Sequence, residues 1–154
     1  MTDQSLPDPK RLVFPGLARL YGVGARYAYA FMRFSTGAIL LPHGIVKLMA
    51  GVPTGSARGI AAHGLPFAML LAWAVVFTES FAAAFLAVGL FTRLAALLIW
   101  IEMSVIITVY QWPNGYFWTG KGIEFALLWW LLCVAIFFRG GGRYSLDHYL
   151  GREI

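Results

Sequence analysis

Apolar positions along this chain gather into four long runs, interrupted by charge at only a few places. A helix that crosses a bilayer needs about 20 consecutive, mostly apolar residues. Residues 29–49 form the first run, interrupted by Arg33, Pro42, His43 and Lys47. Residues 66–90 follow with Glu79 as their only charge, and residues 94–112 with Glu102 near the middle. The fourth run, 123–138, is shorter and opens on Glu124. This pattern predicts an all-α fold, an integral membrane four-helix bundle. It divides the chain into an interfacial segment (1–28), a four-helix domain (29–139) and a C-terminal tail (140–154).

The polar residues between the runs are unevenly spread. "PGLARLYGVGARYAYAFMRF" mixes Arg, Leu and Tyr as a helix lying along the membrane surface does. "GVPTGSARGIAAHGLP" predicts a Gly-rich loop with a short surface helix, and "YQWPNGYFWTGKG" sets aromatics around a Pro-Asn-Gly turn. With the N-terminus placed inside, the inner side takes Lys10, Arg11, Arg19, Arg26, Arg93, Arg139, Arg143 and Arg152, against Arg58 and Lys121 outside. That bias predicts that both termini are cytoplasmic. The N-terminus lacks an apolar stretch followed by a small-residue cleavage site, so the first run is expected to act as an uncleaved insertion signal. "ESFAAAFLAVGLFTR" and "EFALLWWLLCVAIFFR" both run from Glu to Arg, as a parallel repeat of helix pairs would, although apolar helices also resemble one another by chance.

Composition narrows the class. Of 154 residues, 60% are hydrophobic, 16% aromatic and 12% charged, where soluble domains carry about 25% charge. The net charge of +5 forms no basic stripe, which argues against nucleic acid as a partner and leaves the lipid bilayer. A single cysteine, Cys133, excludes an intrachain disulfide and a multi-cysteine metal site.

Three of the four glutamates fall within or at the edge of the apolar runs. A charge in a spanning helix costs roughly 2.5–3.5 kcal/mol, so such groups face the interior and find partners. Glu79 and Glu102 lie near mid-helix, where two acids need protons or counter-charges; they are the candidates for proton exchange. His43 and Lys47 sit four residues apart and share a helix face with Thr36. Gly37 and Gly44 thin that helix for close approach, and Pro42 removes a backbone donor. Lys47 and Glu124 fall at similar depth and are expected to form a structural ion pair, while Arg33 reads as a snorkelling anchor. His43, Glu79 and Glu102 on three helices have no diagnostic ligand spacing, so no metal is assigned. Haem is set aside because His63 belongs to a loop and no second histidine lies within a run.

"GAILLPHGIVKL", "ESFAAAFLAVGLFTRLAA", "GKGIEFALL" and "GGGRYSLD", in that order, make residues 29–147 resemble the DoxX family of small four-helix bacterial membrane proteins. The resemblance implies redox chemistry at the membrane, since named members include a subunit of thiosulfate:quinone oxidoreductase; many others have no assigned activity. It carries over to His43, Lys47 and Glu79, with Glu124 and the 140–147 tail, but does not carry over thiosulfate as a substrate. The residues suit a quinone: His43 and Lys47 as donors to its carbonyls, Glu79 and Glu102 for its protons, and Trp73, Trp100 and Trp129 as walls. No flavin, iron–sulfur or dithiol motif supplies electrons, so a quinone-linked subunit would need a redox partner protein. Two other classes compete. One is a proton-coupled transporter or exporter, for which a homodimer is expected because four short helices enclose little volume. The other is an assembly scaffold whose charges only fix helix register.

Overall fold

The computed structural model describes residues 8–51 and 53–152; residues 1–7 of the expected interfacial segment, Val52, and residues 153–154 of the tail lie outside it. The described residues form helices and no strands. They are α1 (Ala18–Met49), α2 (Thr54–Ala62), α3 (Ala68–Val88), α4 (Thr92–Asn114), α5 (Glu124–Arg139) and α6 (Leu146–Leu150). The middle of α3 is a π-helical turn, Thr78–Ala82, and α4 carries another at Ile106–Gln111.

The expected boundary between residues 28 and 29 is not a break, because α1 runs unbroken from Ala18. Its buried stripe is Arg33, Thr36, Gly37, Leu40 and Gly44, the three- and four-residue spacing of one helix face. The two glycines matter because α3 lies directly on them. A Cβ at position 37 would collide with the backbone of Ala83 and Ala87, and one at 44 with the backbone of Glu79 and Ser80. This contact sets the register of α1 on α3.

Beyond that pair, α4 packs on α3 and most extensively on α5, while α5 touches α1 only sparsely. Leu86, Ala96, Ile99, Cys133 and Ile136 form the fully buried centre. Trp130 crosses the α4–α5 seam, its indole N–H donating to Ser104 Oγ at 2.9 Å. Ser104→Ala would strand that donor and is expected to cost about 1–2 kcal/mol, read as a lower unfolding midpoint in detergent. An unchanged midpoint would show that solvent already serves the indole.

Two helices, α3 and α4, are long and apolar enough to cross a membrane. The helix ending at Met49 reaches that standard only together with α2, from which it is bent by 105°. With 16 residues, α5 rises about 24 Å, short of a hydrocarbon core of about 30 Å. The described fold therefore contains two to three candidate spans.

One end of the molecule is held by the tail, which the sequence leaves as a separate segment. Arg33 is not a snorkelling anchor: it is 2% exposed and donates to Leu86 O at 2.6 Å, Ala87 O at 2.7 Å and Tyr144 O at 2.7 Å. The guanidinium thereby satisfies carbonyls at the C-terminus of α3, where helices leave them unpaired. Gly89 ends that helix at φ 75°, and a Cβ there would run into Arg33 and Ser145. Asp147 caps the start of α4, accepting from Phe91 N (2.7 Å), Thr92 N (2.9 Å) and Thr92 Oγ1 (2.6 Å). Tyr29 Oη donates to Gly140 O, closing the tail onto α1.

Candidate functional site

The register of α1 on α3 determines which charges meet. Gly44 rests on the π-helical turn of α3, so Lys47, one turn further along, reaches Glu79 within that turn. Lys47 Nζ donates to Glu79 Oε2. The Glu79 side chain is 6% exposed and that of Lys47 31%, so the pair has a buried acid and a cation at the edge. π-helical turns inside α-helices recur at functional sites because they turn a side chain out of the regular ladder.

From the other side α4 brings Glu102, which is buried beside Glu79 and feels both Glu79 and Lys47. Among the described residues no hydrogen-bond donor reaches either of its oxygens. Ser80 Oγ, in the same turn of α3, is also buried without a partner. An ionised carboxylate left buried and unpaired costs several kcal/mol. Two ionised carboxylates would exceed the single cation of Lys47 by one charge, so the cluster favours holding one proton.

The expected Lys47–Glu124 pair is replaced by Lys47–Glu79. Glu124 instead accepts the backbone N–H of Trp118 at 3.0 Å and closes the loop before α5. The expectation put Lys47 at the depth of Glu124, but α1 is offset along α3 so that its last turn lies level with the middle of its neighbour.

His43 is exposed and makes no hydrogen bond or ion pair among the described residues. It sits on the edge of α1, one turn from Lys47, outside the acid pair. The three tryptophans do not line one slot. Trp73 is 44% exposed on α3. Trp100 packs edge-on against Trp130 with ring centroids 5.6 Å apart. Trp129 donates to Thr36 O at 3.1 Å across the α1–α5 seam. Beside it an open groove of about 160 Å³ is lined by Met32, Ile39, Leu128 and Leu132, among others. Small-molecule pockets usually span about 300–1,000 Å³, so this groove is no head-group slot.

Sequence reasoning missed Ser80, and although the resemblance singled out residues 140–147, it did not show that this tail docks on Arg33 and on the start of α4. The Gly-rich "GGGRYSLD" was the signal for that docking, since so many glycines before a Ser-Leu-Asp suggest a tightly docked turn. Among the described residues no group of three or more His, Cys, Asp or Glu could hold a metal ion.

Comparison with known proteins adds lineage. The profile of the DoxX family matches residues 16–112, which covers α1 to α4 and leaves out α5 and the tail. An uncharacterized protein of Haemophilus influenzae is 34% identical over 125 residues, 79% of this chain and 90% of that protein. No solved structure matches the chain.

Proposed function

The chain belongs to the DoxX family of membrane proteins, and on that premise we propose that it is a subunit of a quinone-linked oxidoreductase. The observation that carries this reading is Glu102: a buried carboxyl with no donor, beside a Glu79 already paired with Lys47. Such a pair stores a proton inside an apolar body and gives it up where Lys47 meets the lipid edge.

In this reading α1, α3, α4 and α5 form a four-helix bundle across the bacterial inner membrane, with both termini cytoplasmic. The tail contacts of Tyr29 and Arg33, and the excess of basic residues at that end, support it. His43 and Lys47 present N–H donors along the edge of α1, and they, rather than a slot among tryptophans, would hold the head group. A bound quinone supplies the redox chemistry, taking up two electrons and two protons on reduction to quinol. A redox partner protein delivers the electrons; His43 and Lys47 orient the carbonyls, and Glu79 and Glu102 hold and pass protons.

Solvent extraction of the protein purified in mild detergent tests this. The wild type is expected to yield close to one quinone per chain, and His43→Ala and Lys47→Met several-fold less. Well-folded wild type without quinone would overturn the reading. A rival shares the same acid pair: the π-helical turn under Glu79 is a feature that a proton-coupled transporter would also use. Proton-driven flux in quinone-free liposomes would favour the rival.

A further inference from the structure

The acid pair is not equally walled on its two sides. Towards the tail end, α3, α4 and α5 pack over it with Ala83, Leu86, Ala96, Ile99, Cys133 and Ile136, each essentially inaccessible, and the groove left open between α1 and α5 is lined mainly by apolar side chains. Gly37 pressed onto the backbone of Ala83 and Ala87 leaves no gap between α1 and α3 there. Interiors packed this densely hold no water unless polar groups line a space for it.

Towards the α2 end the walls differ. α1 stops at Met49, half a turn past Lys47, whereas α3 continues from Glu79 back to Ala68. Over those 11 residues, about 16 Å, the place of α1 is taken by α2. That helix leaves at 105° and packs Ala57 and Ile60 on Ala72. The cluster is therefore roofed by a short crossing helix, with Lys47 partly exposed beneath it. The same half of α4 carries Gln111, whose Oε1 is buried and accepts no hydrogen bond. Buried acceptors of this kind are normally served by ordered water. Among the described residues, the buried side-chain atoms without a partner are oxygens of Glu102, Ser80 and Gln111, level with the cluster or on its α2 side, and Arg33 Nε at the tail end, whose guanidinium is otherwise held by three backbone carbonyls.

We infer that the Glu79–Glu102 pair exchanges protons with water on one side only, the side capped by α2, through a polar route past Lys47 and Gln111. The half towards the tail is a dry seal. The inference rests on the acid pair being the proton-exchanging site, as proposed above, and gives that exchange a direction. It makes the site one that releases or takes up protons at a single face, whichever redox partner or substrate it serves.

Water access can be read without any quinone. A membrane-impermeant, charged methanethiosulfonate reagent is applied to either face of oriented vesicles, with Arg58→Cys marking the α2 face and Arg143→Cys the tail face; both positions are exposed. The native Cys133, inside the seal, is the built-in control. Gln111→Cys and Lys47→Cys are expected to react from the face that modifies Arg58→Cys and not from the other, with Cys133 silent from both. Gln111→Cys leaves the ion pair intact, so a folding defect in Lys47→Cys does not blunt the test. Reaction from the tail face, reaction of Cys133, or silence of Gln111→Cys from both faces would overturn the inference. Absence of quinone from the preparation would count only against the quinone reading.

Discussion

Lys47→Met is expected to lower stability by about 3 kcal/mol, the low end of the roughly 3–5 kcal/mol lost when one partner of a buried ion pair is removed. The low end applies because the lysine is partly exposed and water already screens it. For a chain of 154 residues this corresponds to roughly 6–12 °C in unfolding midpoint. Without the ammonium, Glu79 and Glu102 face each other with no cation, and a second proton must be carried to keep the cluster neutral. Adding Glu79→Gln to Lys47→Met removes both charges and is expected to recover most of the loss. Glu124→Gln should change the midpoint little, because its carboxylate serves an exposed backbone N–H in the α5 loop. A double-mutant cycle in detergent separates the two pairings. Coupling of Lys47 with Glu124 and none with Glu79 would refute the register described for α1 on α3.

That register shows what could be read from the sequence. Glu79 and Glu102 were identifiable as buried acids because each falls midway in an apolar run, and position within a single helix follows from counting residues. Which cation meets them depends on the offset between helices, which no single run encodes. Gly37 and Gly44 signalled close approach but not the residues approached; the structure shows these to be Ala83, Ala87, Glu79 and Ser80. His43 was placed with Lys47 because four residues make one turn. Both do lie along one edge of α1, but only the longer lysine stem reaches Glu79. Trp129 covers Thr36, whereas Ile39 further along α1 is 59% exposed and His43 is exposed beyond it. Arg33 was misread for a related reason. Its three acceptors belong to α3 and to a tail residue 111 positions away, contacts that hydropathy of its own helix cannot announce.

Asp147→Ala is expected to be the most damaging substitution outside the charge cluster. Asp147 is 3% exposed, and its two oxygens accept three hydrogen bonds from Phe91 and Thr92. Phe91 holds a left-handed backbone, φ 47°, which a non-glycine residue adopts only under constraint. Alanine would leave two backbone N–H groups and a hydroxyl without their acceptor, at about 1–3 kcal/mol for each group that water cannot reach. It would also take a negative charge from the N-terminus of α4 and from the neighbourhood of Arg33. A total of about 3 kcal/mol or more is expected, with Asp147→Asn, which keeps one acceptor, losing less. The tail should open with it: trypsin cleavage after Arg143, which tracks the opened population, should rise by roughly a hundredfold for 3 kcal/mol. An unchanged cleavage rate would show that the tail is held elsewhere. Because Arg33 ties α1 both to the end of α3 and to the tail, a loosened tail should reach further than its own turn. It frees α1 to slide on α3, and Gly44 is what brings Lys47 level with Glu79. Lys47→Met should therefore cost less in the Asp147→Ala background than in the wild type, a coupling between two residues at opposite ends of the same helix contact.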